Sequence, residues 1–400
     1  MARSSGTVSP ASEQPGKVGA RFQITPSMKL MWDGGQVDLT YFIGSRRMGR
    51  SYAYSREGHL FQAPVGFYTS RSRWDMAPGY ENDSEPDLNR PITKECLFCH
   101  ATGAKPVKGT LNRYAEIGHG IQCRRCHGES SDHKQLINPS KLPPRQRDSV
   151  CEQCHLSGAA RILKAGKTLE DFRAGQNLAD YLEVFIAPEA SREAAVKVNS
   201  HAEALLMSGC RQKSTSFWCG TCHNPHQPTA SYDTLCRQCH QSPHNSGDCV
   251  GCHMPKSKAQ DGGHTVFTDH RITAKPRAGA FRSYFGGSAS ARNLGLAYFQ
   301  IAMDRHDTSY FEKAWEQLRT AASGTPDDPP LYATIAKLLE ADGRKQQAVT
   351  YYRLSLAQDQ ENPEVLDNLV RLLGNTAEAR RLKQRSLDVL PRPFPLRNSK

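Results

Sequence analysis

The chain has 400 residues, a formal net charge of +12 and a hydrophobic content of only 38%. No run of about eighteen apolar residues occurs, so the sequence predicts no transmembrane helix. Its lysines and arginines are scattered rather than gathered into a stripe, which argues against nucleic acid as a partner. Thirteen cysteines are too many for an ordinary soluble enzyme and need an explanation.

The N-terminal quarter predicts a disordered start followed by a small β region. Residues 1–20 are rich in Ser, Gly and Pro, and they lack the apolar stretch of an export signal. Residues 21–90 alternate apolar and polar side chains, with a turn at Glu57 and Gly58.

The region from residue 91 to residue 272 contains six copies of Cys-x-x-Cys-His, which use twelve of the thirteen cysteines. Two thiols one helical turn apart can form thioethers to the two vinyl groups of a haem, and the next histidine can ligate the iron. Zinc knuckles and redox dithiols are the alternatives, but neither requires a histidine directly after each pair. The spacing therefore predicts six covalently bound haems c.

In this prediction the twelve cysteines attach haem and the six histidines are proximal iron ligands. The cysteines are Cys96, Cys99, Cys123, Cys126, Cys151, Cys154, Cys219, Cys222, Cys236, Cys239, Cys249 and Cys252. The histidines are His100, His127, His155, His223, His240 and His253. Six haems bring about twelve propionate charges, which would offset the basic excess of the chain.

The distal position of each iron decides between electron transfer and catalysis, because a closed position suits the former and an open one the latter. Nine histidines lie outside the motifs. His306 lies in a helical region and His59 at a hairpin, far from any motif. The other seven are predicted as distal ligands: His119, His133, His201, His226, His244, His264 and His270. The remaining cysteine, Cys210, is interpreted as a small apolar residue rather than a reactive thiol.

Six motifs in this region leave roughly 30 residues for each haem, too few for separate protein cores. We therefore expect the haems to lie close together and to form much of the core themselves. Close haems are what electron hopping requires. Contacts between haems of different copies could also let the protein self-assemble, and the sequence does not decide this.

The C-terminal quarter changes to a helical pattern. Residues 273–290 are predicted as a linker, residues 291–390 as helical hairpins and residues 391–400 as a basic tail. The Asp-Pro at Pro329 recurs as Asn-Pro at Pro363, and this period of 34 is typical of tetratricopeptide repeats. Such repeats dock proteins, although a helical cap without a ligand is the alternative. The whole chain is thus predicted to be mainly α.

Longer motifs resemble a known family. They include Trp-Asp-Met-Ala-Pro-Gly-Tyr at 74–80, Cys-His-Asn-Pro-His at 222–226 and Cys-His-Met-Pro-Lys at 252–256. The chain resembles the tetratricopeptide-containing multihaem cytochromes c, whose haem region is related to the nitrifier tetrahaem cytochrome and the hydroxylamine oxidoreductase group. The resemblance implies an exported protein, and relatives commonly carry one more haem motif upstream. It also implies His133 as a ligand, although the Pro-Gly turn of the relatives is replaced at residues 129–132.

The expected function is electron transfer between redox proteins in the periplasm or outside the cell, with no catalytic residue. Because covalent haem attachment takes place there and residues 1–20 contain no export signal, we expect a processed or truncated chain. The first alternative is an oxidoreductase in which one open haem acts on a small nitrogen or sulfur compound. The Cys-x-x-Cys-Lys motif of pentahaem nitrite reductases is absent from the sequence. The second alternative is an assembly scaffold whose haems serve a partner enzyme.

Overall fold

The structure is a computed structural model that describes residues 4–83, 86–130, 132, 135–186, 197–227, 229–240, 248–259, 262, 266–273, 280–324, 327–392 and 394. Helix makes up 41% of it and strand 19%. The prediction of a mainly α chain with a small β region is therefore wrong. The difference comes from the N-terminal quarter, where many short strands combine into one large sheet.

Eight strands form this antiparallel sheet: β1 Ser5–Thr7, β2 Gly16–Val18, β3 Phe22–Ile24, β4 Lys29–Trp32, β5 Gly35–Ile43, β6 Gly49–Arg56, β7 His59–Tyr68 and β8 Arg73–Met76. Strands β2 to β8 are hydrogen-bonded in chain order, and β1 pairs with β5. The predicted turn joins β6 to β7, with positive φ angles of 54° at Glu57 and 83° at Gly58, as a two-residue hairpin requires.

Residues predicted to be disordered belong to this sheet. Strands β1 and β2 lie within residues 4–20, so the disorder prediction fails for the described part of that segment. The indole nitrogen of Trp74 donates a hydrogen bond of 2.7 Å to the carbonyl oxygen of Gln14, which holds the N-terminal segment against β8. A pattern search misses strands of three residues because they show too little alternation.

Strand β7 is buried on both faces, and this places the sheet against the first Cys-x-x-Cys-His motif. Phe61 and Val65 pack into the core of the sheet. Leu60 lies in a second apolar cluster with Leu97, which is inside the first motif. The sheet therefore forms one wall of the region that contains the motifs.

Short elements separated by irregular chain make up that region. They are α1 Lys94–His100, β9 Lys105–Pro106, β10 Tyr114–Glu116, α2 Arg124–His127, α3 Pro144–His155, β11 Ala160–Leu163, β12 Leu182–Ile186, α4 His201–Leu206, α5 Gly209–Lys213, α6 Cys219–Cys222, α7 Tyr232–Cys239, α8 Cys249–His253, β13 Lys256–Lys258, β14 Val266–Thr268 and β15 Arg282–Ser283. Strand β15 pairs with β12, so part of the predicted linker is built into the fold.

Six helices follow in three hairpins: α9 Ala291–Arg305, α10 Ser309–Ala322, α11 Pro329–Ala341, α12 Lys345–Gln358, α13 Pro363–Leu373 and α14 Ala377–Val389. Pro329 and Pro363 each occupy the first helical position. The preceding Asp328 and Asn362 accept hydrogen bonds from backbone N–H groups of the first turn. The 34-residue period therefore marks the repeat of a capped helix start.

The C-terminal segment returns to the N-terminal sheet. The ring of Phe394, in the predicted tail, lies 5.1 Å from that of Trp32. The side-chain nitrogen of Asn89 donates to the Phe394 carbonyl oxygen at 2.7 Å. Among the described residues, none of the helices has both the length and the apolar character needed to cross a bilayer.

Candidate functional site

All six Cys-x-x-Cys-His motifs lie on or beside short helices. In α1, α2, α3 and α8 the histidine is the last helical residue, and after α6 and α7 it is the capping residue. One helical turn therefore brings the two sulfur atoms of each motif to the same side. None of the thirteen cysteines forms a disulfide. The paired thiols and the adjacent imidazole are the donor set that covalent haem attachment requires.

The first, third and fourth motifs meet through their sulfur atoms. The Cys99 thiol of the first motif shares a hydrogen bond with the Cys154 thiol of the third, which lowers the pKa of Cys99 to about 7 and raises that of Cys154. Cys151 of the third motif shares one with Cys219 of the fourth, which raises the pKa of Cys151 and lowers that of Cys219. The third motif therefore contacts both the first and the fourth.

Predicted distal histidines lie beside predicted proximal ones. The ring centroids are 5.8 Å apart for His127 and His226, 5.2 Å for His155 and His201, and 6.0 Å for His223 and His270. The chain separates the members of these pairs by 99, 46 and 47 positions, so their proximity is a product of the tertiary fold.

The separations of 5.8 and 6.0 Å are close to what two imidazoles would need to bind one iron, and that of His155 and His201 is somewhat shorter. Metal–nitrogen bonds of about 2 Å on opposite sides place two ring centroids about 6 Å apart. The His201 and His270 rings are only 4.5 Å apart, which is too close for an iron between them. These distances leave His155 as the neighbour of His201, and His223 as the neighbour of His270, at separations nearer to that value.

Hydrogen bonds orient several of these rings. The Nδ1 atom of His127 lies 2.7 Å from the carbonyl oxygen of Ile137, and that of His270 lies 2.8 Å from the carbonyl oxygen of Thr268. A carbonyl oxygen can only accept, so Nδ1 carries the proton and the Nε2 lone pair is left for a metal. Sequence reasoning identified the rings but not these carbonyl partners, because Ile137 and Thr268 have no distinguishing side-chain chemistry.

Burial keeps the imidazoles neutral, which is the form that binds iron. Desolvation lowers the pKa values of His100, His155, His223 and His270, and that of His201 to about 3. The Nδ1 atom of His201 is buried without a hydrogen-bond partner among the described residues. An orphaned imidazole nitrogen inside a cluster of histidines fits a site that takes a metal-containing cofactor.

The last three motifs lie in a segment without a polypeptide core. Among the described residues from Gly209 to Lys258, none is buried, although four helices form there. Helices of four to eight residues are not stable in water on their own. Large apolar cofactors attached to the six motif cysteines of this segment would supply the packing that its side chains do not.

The other predicted distal ligands are not seen beside a proximal histidine in the described residues. His119 is exposed and lies against the sheet, its ring 6.2 Å from that of Tyr41. His133, His244 and His264 lie outside the described residues. The His59 Nδ1 atom lies 2.9 Å from the Asn112 side-chain oxygen, outside the motifs. His306 is the C-terminal cap of α9 and has a left-handed conformation. Cys210 is half-buried.

The family comparison agrees with this geometry. Residues 69–128 match the family model described as cytochrome c554 and c-prime. The matched segment runs from the end of the sheet through the first two motifs. It supports a relationship to cytochromes c, haem c as the cofactor and a redox function based on haem. No curated protein matches the chain. The tetratricopeptide assignment and the link to hydroxylamine oxidoreductases stay predictions.

Proposed function

We propose that this protein is an electron carrier that passes electrons along a relay of six covalently attached haems c. The observation that carries the proposal is the segment from Gly209 to Lys258, which contains three motifs on short helices and no buried residue among those described. The family match over residues 69–128 supports the same cofactor. Haem supplies a one-electron couple at its iron, and the chain supplies the attachment and the axial ligands.

Three axial ligand pairs are part of this proposal: His127 with His226, His155 with His201, and His223 with His270. Ring separations of 5.8 and 6.0 Å support the first and third pairs, and the proximity of the two rings at 5.2 Å supports the second. His100, His240 and His253 are the remaining proximal ligands. Their distal partners are drawn from the other four predicted ligands, namely His119, His133, His244 and His264.

From the sulfur contacts we infer the spatial order of three of the proposed haems. The haem of the third motif stands between those of the first and fourth, because its two cysteines contact Cys99 and Cys219. The fifth and sixth motifs are held together where the Val250 N–H donates to the Asp233 carboxylate at 3.1 Å. Electrons would pass from motif to motif without crossing thick layers of protein.

Donor and acceptor redox proteins outside the cytoplasm are the proposed partners. The helical hairpins from α9 to α14, proposed as tetratricopeptide repeats, would provide a docking surface for one of them. Their regular spacing and capped starts at Pro329 and Pro363 support this assignment.

The first experiment counts the cofactors. The chain is expressed with an export signal in a bacterium that matures cytochromes c, and the purified protein is weighed by mass spectrometry. We expect the mass of the polypeptide plus six haems, and a ferric electron paramagnetic resonance spectrum that is entirely low-spin. A mass equal to the bare polypeptide would refute the proposal, and a high-spin signal that changes with nitrite or cyanide would favour an enzyme.

The second experiment tests an axial pair. In His226→Ala the iron ligated by His127 loses its sixth ligand, so one of the six haems should become high-spin. His306→Ala is the matched control, because His306 caps α9 and does not contact a motif. A fully low-spin His226→Ala protein would exclude His226 as a ligand.

A further inference from the structure

Three motifs converge at the contact between Cys99 and Cys154. The residue before the second cysteine in each of the first three motifs is Phe98, Arg125 and Gln153. The Arg125 guanidinium lies 4.2 Å from the centre of the Phe98 ring. The Gln153 side-chain nitrogen donates to the Arg125 carbonyl oxygen at 3.4 Å. These three residues therefore form one cluster beside the paired sulfur atoms.

A second arginine completes the cluster. Arg161 donates to the carbonyl oxygens of Gln153 at 2.8 Å and Leu156 at 3.3 Å. Its positive charge acts on Cys99 and Cys154, as does that of Arg125. Two guanidinium groups thus flank the place where the haems of the first and third motifs would be attached.

Neither positive charge is neutralised by a close carboxylate. Within the described part of the chain, neither guanidinium lies at ion-pair distance from an Asp or Glu, and both Nε atoms are buried without an acceptor. Glu170 acts on Arg125 only at longer range, where Arg173 opposes it. Both arginines are half-buried, and holding an unpaired charge partly away from water is costly, so the retention of both charges here calls for a role.

The other sulfur contact has a different charge balance. Next to Cys151 and Cys219, the Asp148 carboxylate is paired with Arg147 at 2.9 Å and with Arg211. Glu152 is buried there as well, and it accepts a hydrogen bond of 2.6 Å from the Tyr284 hydroxyl. Helix α3 therefore runs between a site with unpaired arginines and a site where carboxylates accompany the arginines.

We infer that Arg125 and Arg161 raise the reduction potentials of the haems attached at Cys99 and Cys154. Reduction removes one positive charge from a haem, so a nearby half-buried cation favours the reduced form, and its influence grows where the dielectric constant is low. The haem of the first motif would then have a higher potential than that of the fourth, and electrons would collect at the first. This inference rests on the proposed haem relay.

The test is a spectroelectrochemical titration of the holoprotein at fixed pH and ionic strength. Arg161→Gln and Arg125→Gln should each shift the same two of six transitions to lower potential. Arg161→Lys should retain most of the original value, because it keeps the charge. The control is Arg353→Gln on helix α12, whose guanidinium pairs with Glu378 at the surface, and it should leave all six transitions in place.

A second variant covers the case in which loss of an arginine prevents folding. Gln153→Glu is nearly isosteric and adds a carboxylate beside the two cations without removing either. It should lower the same two transitions and leave the haem count at six. Unchanged potentials in Gln153→Glu and in both Gln variants, with six haems present by mass, would overturn the inference and leave the proposed relay standing. A mass without haem would instead refute the relay itself.

Discussion

Two regions of the molecule differ in what holds them together. In the helical hairpins, Leu331, Ile335 and Leu339 are at most 2% exposed and belong to one continuous apolar cluster. From Gly209 to Lys258 none of the described residues is buried, yet three motifs lie there. The hairpins are stabilised by their own side chains, whereas the motif segment would depend on the haems that we propose are attached to it.

The largest effect is expected from removing an attachment point. In Cys219→Ala/Cys222→Ala the fourth motif cannot bind haem, so the chain around it loses the packing that replaces a core. We expect the mass of one haem to be lost and protease sites to open between Gly209 and Lys258, while the hairpins stay resistant. Limited proteolysis with mass spectrometry measures both.

The control for this experiment is Cys210→Ala, which changes a cysteine outside the motifs. It should retain all haems and the original protease resistance. Equal resistance in the double variant and the control would show that the segment folds without its cofactor.

A core substitution in the hairpins should lower the stability of the protein without loss of haem. Ile335 on α11 is 1% exposed, and Ile335→Ala should lower the free energy of unfolding by about 2–5 kcal/mol, because it removes apolar contacts and leaves a cavity. The haem spectra should not change. Leu354→Ala on α12, where the side chain is 43% exposed, should change stability by less than about 0.5 kcal/mol. Urea unfolding followed by circular dichroism distinguishes the two variants.

The buried Glu152, on helix α3 between the two cysteines of the third motif, should make the stability of the protein depend on pH. Burial raises the pKa of Glu152 to about 7, so the folded state holds a proton that the unfolded state releases near pH 4.5. The carboxyl group therefore favours folding less and less as the pH rises from about 4.5 to 7, by at most about 3 kcal/mol. Glu152→Gln should remove this loss of stability. Thermal midpoints of the holoprotein between pH 5 and pH 8 provide the measurement, and parallel curves for the two proteins would contradict it.

The smallest effect concerns a helix cap. The Asn362 side chain accepts a hydrogen bond of 3.2 Å from the Val365 N–H at the start of α13. Asn362→Ala should therefore cost about 1 kcal/mol, measured by urea unfolding. Gln360→Ala, two residues earlier on the surface, is the control and should be close to neutral. A neutral Asn362→Ala would mean that the proline at position 363 defines the helix start by itself.

Features that depend on residues close together in the chain could be predicted from the sequence. The helical turn that joins the two cysteines of each motif, the turn at Glu57 and Gly58, and the capped starts at Pro329 and Pro363 all depend on neighbouring residues. The extent of the sheet was predicted wrongly, because β1 and β2 have three residues each, too few to show alternation, and β1 pairs only with β5, more than thirty residues along the chain.

The sequence by itself determined the donor groups of the motifs, because both thiols and the imidazole that haem attachment requires lie within five consecutive residues. Only the tertiary structure decided which distant histidines lie near each other, as with His127 and His226. It alone also placed the half-buried Arg125 and Arg161 together, with their Nε atoms lacking an acceptor among the described residues. Such long-range contacts depend on how the sheet and the short helices pack, and no local pattern of residues encodes that packing.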